Sequence, residues 1–163
     1  DPANVPGEIL VRGANVFLGY FKNDDATGSV FTDDGWFKTG DMGVIDEDGC
    51  LFIKGRTKCM ILGPSGQNIY PEEVETVINS QPYVVDSLVV EDNGGLTALI
   101  YPDFAQGAKD GMNQDVFIKF MEDTLPELNK ELPNYAKLKK IEIMSEDFER
   151  TPKKSIKRYL YQR

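Results

Sequence analysis

Three stretches of the sequence bring together residue types that could handle a ligand carrying hydroxyls or phosphates. The first, Asp34-Gly35-Trp36-Phe37-Lys38-Thr39-Gly40-Asp41, is a glycine-flanked turn ending in an acid. Backbone amides near such a turn can hold the carboxylate, and a fixed carboxylate accepts hydrogen bonds from a sugar diol. The plainer reading is that Asp41 caps a turn. The second stretch places Arg56 and Lys58 ahead of a loop with Gly63 and Gly66, which runs into Asn68-Ile69-Tyr70-Pro71-Glu72-Glu73-Val74-Glu75. Arginine suits a forked contact to ribose or phosphate oxygens, and glycine lets backbone approach a ligand closely. The loop has neither G-x-x-x-x-G-K-[ST] nor G-x-G-x-x-G, so a strand-to-helix connection with a salt-bridged arginine is the alternative. The third stretch, Thr151-Pro152-Lys153-Lys154-Ser155-Ile156-Lys157-Arg158, is a basic run. A lysine on such a loop can balance charge developing in phosphoryl or adenylyl transfer, or the run is simply solvated surface.

Other chemistries are excluded by composition. There is no histidine, which removes Ser-His and Cys-His nucleophile systems. Cys50 and Cys59 are the only cysteines, too few for a disulfide framework or a structural zinc site, so no metal site is expected. With 18 basic and 27 acidic residues the formal charge is -9, which argues against nucleic acid or an anionic membrane as a broad partner. No apolar run reaches the roughly 20 residues of a membrane span. The start, Asp1-Pro2-Ala3-Asn4, lacks the segments of a signal peptide, so a cytoplasmic place, either free or at a membrane periphery, is expected.

The elements that must position these residues follow from periodicity. At 163 residues, 40% hydrophobic and 28% charged, the chain can bury one core plus a small lobe. Glu8-Ile9-Leu10-Val11-Arg12 and Cys50-Leu51-Phe52-Ile53-Lys54 alternate as antiparallel strands, and Asp46-Glu47-Asp48-Gly49 reads as a hairpin turn. Pro71 can open a helix of about ten residues, with Glu72 and Glu73 in its first turn and Val74, Val77 and Ile78 on one face. Residues 84–90 and 96–101 read as strands joined through Asp92-Asn93-Gly94-Gly95. Residues 114–131 carry a helical stripe that Pro126 should break or kink, and Lys140–Met144 is a strand. The fold class is therefore α+β: a small mixed sheet with packed helices, preceded by a short antiparallel β lobe. The two parts join near Gly55-Arg56-Thr57-Lys58, giving domains 1–57 and 58–163.

In this order and at these separations, the stretches resemble the adenylate-forming superfamily of acyl-CoA synthetases, adenylation domains and luciferases. Gly7-Glu8-Ile9 with Gly19-Tyr20 resembles the end of that family's large domain, Thr39-Gly40-Asp41 its T-G-D segment, and Gly55-Arg56-Thr57-Lys58 with Asn68–Glu75 its hinge and following loop. Leu132-Pro133-Asn134-Tyr135 and Phe148-Glu149-Arg150-Thr151-Pro152 look most like the long-chain fatty acyl-CoA ligases.

The resemblance implies a C-terminal portion of an ATP-dependent fatty acid–CoA ligase, with ATP, CoA and Mg2+ as the cofactors of the full-length enzyme. Asp41 would bind ribose hydroxyls, Arg56 would contact the same nucleotide, Lys58 would be the hinge, and the loop around Gly66 would line the CoA channel. The family's adenylation lysine stands immediately before an apolar-x-Arg triplet, but Ser155 holds that place before Ile156-Lys157-Arg158, so Lys154, one place earlier, is the candidate. Nothing here matches the family's upstream phosphate loop or acyl pocket, so the chain is expected to be a fragment unable to form acyl-AMP alone. A carrier protein in place of CoA as acceptor, and a free-standing binding module, are the alternatives.

Overall fold

The computed structural model describes residues 5–163, so Asp1–Asn4 and the reading that they form no signal peptide lie outside the described residues. The chain divides into two compact units, one running to Met60 and the other spanning Ile61–Arg163.

In the first unit, β1 (Gly7–Val11), β2 (Phe37–Ile45) and β3 (Leu51–Arg56) form an antiparallel sheet in that order. The two alternating stretches thus flank β2 and do not pair with each other. The β2–β3 turn closes as its sequence suggests, with Asp46 donating to the carbonyl of Cys50 and Gly49 at φ 81°. One helix, α1 (Asp24–Val30), was not legible by periodicity, since its seven residues carry no apolar stripe. It starts because Asn23 Oδ1 accepts the Ala26 N–H. Rings of Phe17, Tyr20, Phe31 and Phe37 pack beside it with centroids 5.1 to 5.7 Å apart.

The second unit opens with a two-strand hairpin, β4 (Ile61–Leu62) and β5 (Asn68–Ile69), and continues into α2 (Pro71–Asn79) with Pro71 in its first turn. β6 (Val84–Asp92) and β7 (Gly95–Pro102) are antiparallel, and β8 (Leu138–Ile143) lies parallel beside β7. Asn93 and Gly94 both have positive φ, 50° and 70°, the two-residue turn that matches strand twist, so Asp92 and Gly95 belong to the strands. The β7–β8 crossover carries α3 (Phe104–Lys109), α4 (Gln114–Glu122) and α5 (Leu125–Glu131). The expected single helix over 114–131 is therefore two. Its break falls at Asp123-Thr124, and Pro126 sits in the first turn of α5, where no intrahelical N–H is needed.

Alternation along the strands divides the core in two. Val89, Leu96, Ala98, Ile100 and Ile141 face a cluster with Val74, Ile78, Phe117, Met121 and Leu128 of the helices. Leu88, Val90 and Leu99 face the other way, onto Phe148, Ile156 and Tyr161 of the C-terminal segment. That segment is thus the second covering layer of the sheet. The architecture is mixed α+β.

Candidate functional site

The residues singled out by type fall on two features of the first unit and two hairpins of the second. Asp41 and Arg56 are direct cross-strand partners of β2 and β3, and Arg56 Nε lies 2.9 Å from Asp41 Oδ1. The Asp41 carboxylate is therefore held by a guanidinium and not by turn amides, and Asp41 sits within a strand. The bend before it is fixed from β1: Thr39 Oγ1 donates to the Ile9 carbonyl and accepts the Asp41 N–H, while Gly40, at φ 75°, donates to Glu8 Oε1. Side-chain exposures of 33% for Asp41 and 63% for Arg56 leave the pair open to a ligand, so an exposed diol can reach a carboxylate already aimed by its partner. Lys58 is exposed on the single helical turn Thr57–Cys59.

In the second unit Gly66 is at the tip of the β4–β5 hairpin, with φ 79° and its N–H donating to the Gly63 carbonyl. Beside this tip is a cleft of about 230 Å³ lined by Pro64, Ser65, Gln67, Tyr135, Lys137 and Lys139 among others. Lys139 Nζ is 3.4 and 3.3 Å from the carbonyl oxygens of Asn93 and Gly94, which ties the cleft wall to the β6–β7 turn.

Lys154 lies on a separate hairpin closed by the antiparallel bridge Arg150–Ile156. Thr151 donates to the Ser155 carbonyl, Lys154 donates to the Thr151 carbonyl, and Lys154 adopts φ 65°. Lys153, Lys154 and Ser155 are exposed at the tip, whereas the two basic residues that follow are bound. Lys157 Nζ pairs with Glu149 at 3.0 Å, and that carboxylate holds the ammonium in its charged form. Arg158 donates to Glu75 and lies 3.8 Å from Glu72. The basic run is thus half anchor and half exposed tip.

Glu75, Arg150 and the cleft residues Lys137 and Lys139 were not singled out by sequence. Arg150 stood inside the Phe148–Pro152 marker, and its link to Asp86 spans 64 positions, beyond any periodicity. Mg2+ finds no set of ligands here: among the described residues no three or more Asp, Glu or Cys side chains converge. No helix among them is long and apolar enough to cross a membrane.

Residues 59–163 match the family described as AMP-binding enzyme C-terminal domain. Over 86 residues, 53% of this chain, the sequence is 49% identical to the long-chain-fatty-acid–CoA ligase FadD15 of Mycobacterium tuberculosis. Over 89 residues, 55% of this chain, it is 47% identical to the 2-succinylbenzoate–CoA ligase of Bacillus cytotoxicus. These matches cover 14% and 18% of the two relatives. The O-succinylbenzoate coenzyme A synthetase of Bacillus subtilis, solved in complex with ATP and magnesium ion, superposes with a TM-score of 0.77 and 30% identity over 96% of this chain and 30% of that one. The chain thus spans less than a third of the length of these relatives, and over residues 59–163 it belongs to the AMP-binding enzyme C-terminal domain family.

Proposed function

We propose that this chain is the C-terminal part of an AMP-forming long-chain fatty acid–CoA ligase. The enzyme joins a carboxylate to ATP, giving acyl-AMP and pyrophosphate, and then transfers the acyl group to the CoA thiol, releasing AMP. The observation that carries the reading is the open Asp41–Arg56 pair. A carboxylate fixed by a guanidinium is suited to accept both hydroxyls of the ATP and acyl-adenylate ribose, while Arg56 keeps donors free for an oxygen of the same nucleotide. Lys154 meets the negative charge that develops as pyrophosphate leaves. Lys58 is the hinge about which residues 58–163 turn relative to 1–57, exchanging the Lys154 hairpin for the Gly66 hairpin in the second half-reaction. The cleft beside Gly66 supports CoA as acceptor, because Lys137 and Lys139 supply cations and Tyr135 an aromatic face to a phosphorylated ligand. Mg2+ would enter with ATP and balance phosphate charge, and among the described residues no cluster of carboxylates would hold it. The enzyme works in the cytoplasm.

The test is to incubate the enzyme carrying this chain with ATP, magnesium and palmitate, and to follow AMP and thioester. AMP formed with CoA supports the reading. AMP that appears only with an acyl carrier protein, or with aryl but not fatty acids, replaces the corresponding part of it. Calorimetry on the 163-residue chain provides a second check, since Asp41 and Arg56 lack partners for a triphosphate. Micromolar ATP binding by this chain alone would make it a binding module.

A further inference from the structure

Four turns among the described residues share one hydrogen-bond pattern. In Thr32–Trp36, Asp46–Cys50, Gly63–Gln67 and Thr151–Ser155, the first N–H donates to the fifth carbonyl and the fourth N–H donates to the first carbonyl. This is the three-residue hairpin loop in which a type I turn is followed by a left-handed residue. That fourth residue is Gly35 at φ 84°, Gly49 at 81° and Gly66 at 79°, but Lys154 at 65° in the last. Three of the four use glycine, which has no Cβ to clash, and the fourth places a lysine in the disfavoured region. Non-glycine residues persist there when surrounding structure over-determines them.

We infer that Arg150 is the positioning residue that holds Lys154 in this conformation, an inference that rests on the adenylation role proposed for Lys154. One guanidinium nitrogen of Arg150 donates to Asp86 Oδ2 at 2.8 Å and Asp147 Oδ1 at 2.9 Å, and the other donates to the Lys154 carbonyl at 3.3 Å. Both carboxylates are themselves aimed, since Asp86 accepts the Ser87 N–H and Asp147 the Phe148 N–H. Arg150 thereby links β6, the start of the C-terminal segment and the tip of the loop. A lysine could keep one of these contacts but not the fork. Fixing the Lys154 carbonyl fixes the peptide plane and the direction in which the side chain leaves, so the ammonium is placed before the transition state forms. Lys153 is outside this constraint.

The experiment compares Arg150→Lys and Asp86→Asn with the parent in two settings. In the enzyme carrying this chain, acyl-AMP formation and thioester formation from supplied acyl-AMP are measured separately. In the 163-residue chain, the Cα and Cβ chemical shifts of Lys154 report its φ. Arg150→Lys is expected to slow adenylation on the order of 10- to 100-fold, the effect of a small misplacement, with KM for ATP and the thioester half-reaction unchanged. The Lys154 shifts should leave left-handed values, and Asp86→Asn should do the same more weakly. Adenylation and shifts both unchanged in Arg150→Lys would overturn the inference, as would equal loss in both half-reactions, which marks general damage. If Lys154→Ala itself leaves adenylation intact, the catalytic reading of Lys154 fails, and the shifts alone still decide whether Arg150 sets the turn.

Discussion

Arg158, in the last turn of the chain, donates to a carboxylate oxygen of Glu75 on α2, 83 positions away in sequence, and the other oxygen of Glu75 accepts the N–H of Val89 at 2.7 Å in the middle of β6. Glu75 is 8% exposed, and burial pushes its carboxyl up against the opposing pull of Arg158 and the Val89 amide. Removing the carboxylate leaves a buried N–H and a guanidinium short of a partner. Glu75→Ala is expected to cost the second unit about 3 kcal/mol in urea denaturation, the range for breaking one side of a largely buried pair. Glu75→Gln keeps an acceptor for Val89 and should cost about half as much. Equal losses for the two variants would mean that the amide contact contributes little.

A second clasp closes the end of the chain. Arg163 pairs with Glu142 on β8 and with Asp92 on β6, and Lys140 lies 2.8 Å from the same Glu142. Hydrogen bonds from Arg163 first, then Lys140, pull the Glu142 carboxyl from 4.5 down to about 2. A folded-state value below the unfolded one adds stability above the unfolded value and loses it as pH falls through the folded one. The difference in urea midpoint between the parent and Glu142→Gln should therefore be full above pH of about 5 and fade by about pH 2. A difference independent of pH across that window would show that Glu142 acts by packing and not by charge. Burial of Glu75 works in the opposite sense, so the comparison must be made at each pH within this one pair of proteins.

Gly107 in α3 lies against the ring of Phe117 on α4, and a Cβ there would come within 2.8 Å of ring carbons. Phe117 is 1% exposed and fixed by edge contacts to Tyr83 and Phe104, so it has little room to yield. Gly107→Ala is expected to destabilise the second unit by about 1 to 3 kcal/mol despite the better helix propensity of alanine. A raised thermal midpoint would show that α3 slides freely over α4.

What could be read in advance follows the range of the physics involved. β1 and β3 were legible because alternation is local, β6 and β7 as apolar runs joined through a turn, and the turns at Asp46–Gly49 and Asn93-Gly94 because left-handed positions select glycine and asparagine. The helices α1 and α3 escaped because each rests on a side-chain cap, Asn23 or Asp103, and not on an apolar stripe. Asp41 and Arg56 were each legible by type, but their pairing depends on a β2–β3 register with an irregularity between Met42 and Gly43. The basic run looked uniform in sequence. Acids elsewhere in the chain divide it, since Glu75 takes Arg158 and Glu149 takes Lys157, and within the run the 152–155 tip is left exposed.

That division sharpens the choice among the tip residues. Lys157 is held by Glu149, so the cations free to meet a phosphate from this loop are Lys153 and Lys154, with Ser155 in the place where the resembling family carries its lysine. Lys154 is the one whose backbone is fixed, at φ 65° with its N–H bonded to Thr151. A preorganised charge stabilises a transition state more than a mobile one, because no reorganisation is needed when the charge develops. In the enzyme carrying this chain, Lys154→Ala should slow acyl-AMP formation on the order of 10² to 10³ fold. Thioester formation from supplied acyl-AMP, which under the proposed hinge at Lys58 does not use this hairpin, should change little. Lys153→Ala removes an equal charge from the neighbouring position and should cost adenylation far less. Single-turnover assays of the two half-reactions separate these cases. If both alanine variants adenylate at the parental rate while Ser155→Lys accelerates it, the catalytic position is 155, this chain has lost its lysine there, and Lys154 is only the left-handed corner of the turn.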